Sequence, residues 1–100
     1  MLSAFIRILT ALRWLVAPAI FVIDIDGEEL RVRNGEVPGG MVREFGEAAR
    51  DFEIRGGTIR GFRASHGITL SFSSDVPAEA HQRFRNILAL HRDRIMGPGA

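Results

Sequence analysis

From Phe21 onward the hydrophobic positions switch repeatedly between a two-residue and a helical period. Phe21, Ile23 and Ile25 alternate with Val22, Asp24 and Asp26, as in a strand with one buried face. Asp26-Gly27 is a hairpin signal, and Leu30 and Val32 then alternate with Arg31 and Arg33 in a second strand. Asn34-Gly35 breaks this strand. Pro38 with Gly39-Gly40 opens a helix on which Val42, Phe45, Ala49 and Phe52 recur at helical spacing, and Gly56-Gly57 ends the unit. The pattern then starts again. Thr58 to Ala64 predicts a strand, Ser65-His66-Gly67 a turn, and Ile68, Leu70 and Phe72 the inward side of another strand. Val76-Pro77 opens a second helix with Ala80, Phe84, Ile87, Leu88 and Ile95 on one stripe. Val37-Pro38 and Phe45 recur as Val76-Pro77 and Phe84 at the same spacing, so the chain reads as two ββα units. The expected fold class is α+β: a ββαββα domain over 20–96, its four-stranded sheet mainly antiparallel with both helices on one face. Ile59 and Phe62 differ in parity, which predicts a bulge at Gly61.

The segment before this domain has another character. Residues 1–19 predict a hydrophobic, amphipathic helix. Phe5, Ile8, Leu9, Leu12, Leu15 and Val16 share one face, Ser3, Arg7, Thr10 and Arg13 the other, and Trp14 lies near the boundary as an interfacial anchor. Pro18 ends or kinks it. A helix over 2–17 would be about 24 Å long, short of a hydrocarbon core of about 30 Å; continued to Ile23 it could span. Apolar residues at about −0.3 to −0.6 kcal/mol each nearly balance two arginines at about +2.5 to +3.5 each. The balance is a marginal span, slightly toward insertion because Arg7 can snorkel. Ala17-Pro18-Ala19 has the form of a signal cleavage site, but Arg13 interrupts the apolar run that should precede it. The outer sheet face is expected to carry Asp24, Asp26, Arg31, Arg33, Thr69, Ser71 and Ser73, which suits water better than Leu9 and Leu12. Packing of the helix on the domain's own core is therefore disfavoured; lipid or another protein must cover its apolar face, and membrane anchoring is the favoured reading. Arg31, Arg33 and Arg43 follow the segment, so the count of basic residues slightly favours a C-terminal domain on the cytoplasmic side of the membrane. Residues 97–100 read as a flexible tail.

Composition narrows the chemistry. The chain has 100 residues, a hydrophobic share of 46% and a charged share of 25%, all values of a globular domain. Net charge is +1, which singles out no nucleic-acid or membrane partner. All 13 basic residues are arginine, and the absence of cysteine rules out disulfides and thiolate chemistry.

Three groups of residues are candidates for function. Asp24 and Asp26 stand on one strand face with Glu28 and Glu29 following, which suits either a hard cation or cross-strand ion pairs, and the pairs, with Asp24 opposite Arg31, are the better fit. His66, His81 and His91 lack the spacing of metal ligands, and His91 falls on the apolar stripe of the second helix as a core-edge residue. His81-Gln82-Arg83-Phe84-Arg85-Asn86 is the densest basic stretch, with Arg92 and Arg94 on the same helix. No nucleophile–base pair and neither phosphate-loop fingerprint is present, so the expectation is a non-enzyme without metal or cofactor.

The run Leu70-Ser71-Phe72-Ser73, Val76-Pro77 and Gln82-Arg83-Phe84-Arg85-Asn86, preceded by Gly57-Thr58-Ile59-Arg60-Gly61, resembles a family of bacterial proteins of about this length that have one N-terminal membrane segment and no assigned function. The resemblance covers most of residues 15–90, and the chain departs from it in Arg7 and Arg13. It implies bacterial origin and an inner-membrane location, and no activity.

Together these observations lead to the expectation of a membrane-anchored protein-interaction module, an accessory subunit of a larger membrane complex. Partners would meet Arg83, Arg85 and Arg92 or the Asp24, Asp26, Arg31 and Arg33 face. The alternative is a nucleic-acid-binding domain using the Arg-rich second helix.

Overall fold

A computed structural model describes residues 18–65 and 67–96, Met96 by its backbone alone. The elements follow in the order β1 (Ala19–Asp26), β2 (Glu29–Asn34), α1 (Gly39–Asp51), β3 (Gly56–Ala64), β4 (Gly67–Phe72) and α2 (Ala78–Met96). The sheet order is β2-β1-β3-β4. All three pairings are antiparallel, so the two hairpins sit side by side and join through their first strands.

Alternation along the strands builds the core. Phe21, Ile23 and Ile25 of β1, Ile59 of β3 and Leu70 of β4 are buried on one face. Met41, Phe45, Ala48 and Ala49 of α1 and Ala80, Phe84, Ile87 and Leu88 of α2 close over them in one cluster. Phe45 and Phe84 meet edge to face at 5.0 Å between ring centroids, where the two helices cross.

The expected fold class needs correction at its N-terminal end. The described fold is α+β with a four-stranded antiparallel sheet and two helices. No helix among the described residues is long and apolar enough to cross a membrane. The reason lies at Ala19–Ile23. These residues, which would have extended a hydrophobic helix past Pro18, form the start of β1, with Phe21 and Ile23 fully buried under the helices. Ala19–Ile23 are therefore not available to a spanning helix. The expected anchor residues Phe5, Ile8, Leu9, Leu12, Trp14, Leu15 and Val16 lie outside the described residues, as do His66 and the tail 97–100. Strand β1 begins at Ala19, so the boundary falls one residue before the expected end of the head segment.

Gly61 is not the extra residue of the expected bulge, for β3 pairs with β4 in unbroken register from Ile59↔Phe72 to Ala64↔Gly67. Phe62 therefore stands on the outer face. Gly61 has another role, because any side chain there would collide with the ring of Phe21. On the β1 side the register does slip at this step, where Phe21 pairs with Gly61 and Ala19 with Phe62. This slip leaves Ile20 as the extra residue on β1, opposite β3. A second slip leaves Arg33 as the extra residue on β2, between Val32 and Asn34.

Candidate functional site

The slip in β2 shapes the outer face. By register Asp24 stands opposite Arg31 on β2 and Thr58 on β3. Its ion pair, however, is with the bulge residue: Arg33 Nε lies 2.8 Å from Asp24 Oδ2, and Arg33 Nη2 donates to Oδ1 at 3.2 Å. The two-point geometry is the one guanidinium favours for a carboxylate. Thr58 Oγ1 donates to Asp24 Oδ1 at 2.9 Å. Thr58 is itself fixed by its backbone N–H on Ser73 Oγ and by the Ser73 N–H on its carbonyl, both at 2.9 Å. Arg31 instead approaches Glu29 at 3.7 Å on exposed surface, and Asp26 is exposed at the hairpin turn. The face is not uniformly polar, for Val22 is buried on it between the register positions of Asn34 and Arg60.

The arginines of α2 divide by what they touch. Arg83 Nη2 lies 2.9 Å from Asp51 Oδ2, tying α2 to the end of α1. Arg85 places its guanidinium 5.6 Å from the centre of the Phe72 ring. His81, one turn before Arg85, stacks on the same ring at 3.9 Å with 9° between planes, and its Nε2 donates to the Val76 carbonyl at 3.1 Å. The imidazole and the guanidinium thus both rest on Phe72, and Arg85 gains a fixed direction. Arg92 lies beside Gly67, where an added Cβ would meet its Cδ at 3.4 Å. Helix α2 therefore runs back along β4, with Arg85 at the strand's end and Arg92 at its beginning.

Between them lies a shallow groove of about 180 Å³, lined by Ile68, Thr69, Leu70, Leu88, Ala89 and the two arginines. Neither arginine has a carboxylate partner among the described residues. Strand β4 borders this groove and is an edge of the sheet. Its sequence, Gly67-Ile68-Thr69-Leu70-Ser71-Phe72, holds no charge and its register no bulge. The opposite edge, β2, carries Glu29, Arg31 and Arg33 together with a bulge, devices that discourage strand addition.

A hollow of about 430 Å³ lies between the β1–β2 turn and the end of α1, with Glu28, Arg50, Glu53 and Arg55 in its wall. The hydrogen bond from Gly27 N–H to the Arg55 carbonyl, 2.9 Å, ties the hairpin turn to the loop before β3 at this hollow. Its charges are mixed and converge on no point. His91 Nε2 donates to Glu44 Oε2 at 3.0 Å, a half-buried link between the helices. Among the described residues no group of three or more His, Asp or Glu could hold a metal ion.

The surfaces singled out from the sequence do not converge. Arg85 and Arg92 flank β4 on the helix side; Asp24, Asp26, Arg31 and Arg33 belong to the outer face at the other edge; Arg83 is held within the fold. Thr58, Ser73 and Phe72 were missed because each acts on a residue distant in the chain, Thr58 on Asp24 across 34 positions.

The chain belongs to the family described as "Protein of unknown function (DUF3634)", whose model matches residues 3–94. Membership of an uncharacterised family agrees with the resemblance seen in the sequence. No curated protein and no solved structure matches the chain.

Proposed function

We propose that this chain is a small protein-interaction module, an accessory subunit of a larger bacterial membrane assembly, which meets its partner along β4 and the adjoining face of α2. The observation that carries this reading is the contrast between the sheet edges. Strand β2 is guarded by charge and a bulge, whereas β4 is uncharged, regular and lined by two arginines without carboxylate partners among the described residues. An unguarded edge offers a row of backbone donors and acceptors to an incoming chain. Attachment to the membrane is supported by the sequence of residues 1–17, whose apolar side chains are interrupted by Arg7 and Arg13 in a pattern suited to the lipid surface.

A photo-crosslinking side chain at Thr69, on β4, tests the reading in cells producing the full chain, with Glu47 on the exposed side of α1 as the control. One discrete crosslinked product at Thr69 and none at Glu47 is the expected result. Equal crosslinking at both, or none at Thr69, overturns it. Flotation of membranes from the same cells at neutral pH reads the membrane part: the chain should float with the membranes, and its recovery in the soluble fraction removes that part of the reading.

A further inference from the structure

We infer that the β4 edge takes an extended acidic segment of another protein, which adds as a fifth strand and sets carboxylates against Arg85 and Arg92. The inference rests on the reading that β4 is a docking edge, and it adds the chemistry of the partner.

Three features of the edge select that occupant. Backbone groups on an open edge pair with an extended chain whatever its sequence, so the edge supplies affinity without choice. Choice comes from the side chains flanking it. Arg85 and Arg92 stand on the helix side of β4, two turns apart on α2, about 10.5 Å along its axis. On an added strand, side chains four positions apart share a face and lie about 13 Å apart, a separation that flexible arginine arms can meet. Arg85 is already aimed by its contact with Phe72, so less side-chain freedom is lost when a carboxylate binds it. The floor between the two arginines is apolar, formed by Ile68, Leu88 and Ala89, which suits small or branched side chains between the acidic ones.

A second copy of this chain is disfavoured at the same place. Pairing β4 against β4 would bring another Arg85 and Arg92 to the joint and set positive charge against positive charge. A phosphate-bearing partner, RNA or an anionic lipid surface, would use the arginines but leave the strand edge unused.

The test uses the full chain in a mild detergent and a fluorescent peptide repeating Glu-Thr-Val-Thr, in which glutamates four apart share a face with valine between them, with the peptide carrying lysine for glutamate as the basic control. The acidic peptide should bind saturably, protect amides of β4 from hydrogen exchange, and lose about tenfold in affinity with the double substitution Arg85→Glu/Arg92→Glu. Both arginines are exposed, and an unchanged thermal midpoint verifies that the variant folds. Equal binding of the basic peptide, affinity unmoved by the double substitution, or protection confined to other strands overturns the inference. So does a single-stranded oligonucleotide or an anionic vesicle that binds with the same arginine dependence but without β4 protection. So does concentration-dependent dimerisation that blocks the peptide. A discrete crosslink at Thr69 combined with failure of the acidic peptide would refute the acidic chemistry while leaving the docking edge standing; loss of both would refute both.

Discussion

The ring of Phe21 occupies the space that a side chain at Gly61 would need. The two residues face each other across β1 and β3, and Phe21 is fully buried. Gly61→Ala should therefore destabilise the fold at the upper end of the overpacking range, about 3 kcal/mol. Urea unfolding measures it. Shortening the neighbour, as Phe21→Leu in the Gly61→Ala background, should recover part of the loss; no recovery would show that the strain lies in the backbone.

Asp24 and Arg33 should couple weakly. Their side chains are 33% and 55% exposed, so a double-mutant cycle with Asp24→Asn and Arg33→Gln should give about 0.5–1 kcal/mol, despite the two-point geometry. Raising the salt should reduce that coupling. Arg31→Gln, although Arg31 is the register partner of Asp24, should couple to it less. The reverse order would mean that the bulge places Arg33 elsewhere in solution.

The two links between the helices should differ in cost. Removing Glu44 leaves the half-buried His91 ring, 13% exposed, without its acceptor, and Glu44→Ala should cost about 1–2 kcal/mol. Asp51→Ala breaks a pair whose arginine is 42% exposed and should cost less than about 1 kcal/mol. Thermal unfolding of both variants gives the order, and equal costs would contradict the burial difference.

His81 should carry its ring proton on Nε2, because that nitrogen faces the Val76 carbonyl. Nitrogen chemical shifts of the imidazole report it. Phe72→Leu should leave the fold in place while removing the ring-current displacement of the Arg85 side-chain resonances, and a shift pattern unchanged by that substitution would show that the stack of His81, Phe72 and Arg85 does not form.

Most of the secondary structure could be read from the order of residues, because the alternation of Phe21-Ile23-Ile25 and of Ile68-Leu70-Phe72 is a local signal and one face of each strand is buried. The helices were legible for the same reason at Phe45, Ala49, Phe84 and Leu88. Ile20-Phe21-Val22-Ile23 was ambiguous. An unbroken apolar run has neither period, and it suits a buried strand as well as the end of a hydrophobic helix. Gly61 was misread because a glycine between residues of opposite parity signals a bulge locally, while its actual cause, the ring of Phe21, lies across the sheet.

The candidate surfaces were legible only as residue types. The basic residues of α2 are visible in any count of charge, but their separate commitments are not. Arg83 finds Asp51 on another helix, Arg85 finds Phe72 on a strand, and Arg92 is left without a carboxylate partner among the described residues. Register decided the rest: a one-residue slip gave Asp24 to Arg33 in place of Arg31.

What the amino-acid order by itself determined is the succession of two ββα units and the face each element buries, since period and turn chemistry act over a few neighbouring residues. The tertiary structure alone decided the sheet order β2-β1-β3-β4, and with it that β4 is an open edge beside Arg85 and Arg92. That outcome depends on β1 pairing with β3 across the whole of α1, a contact between distant parts of the chain whose stability comes from the shared core and which no local pattern records.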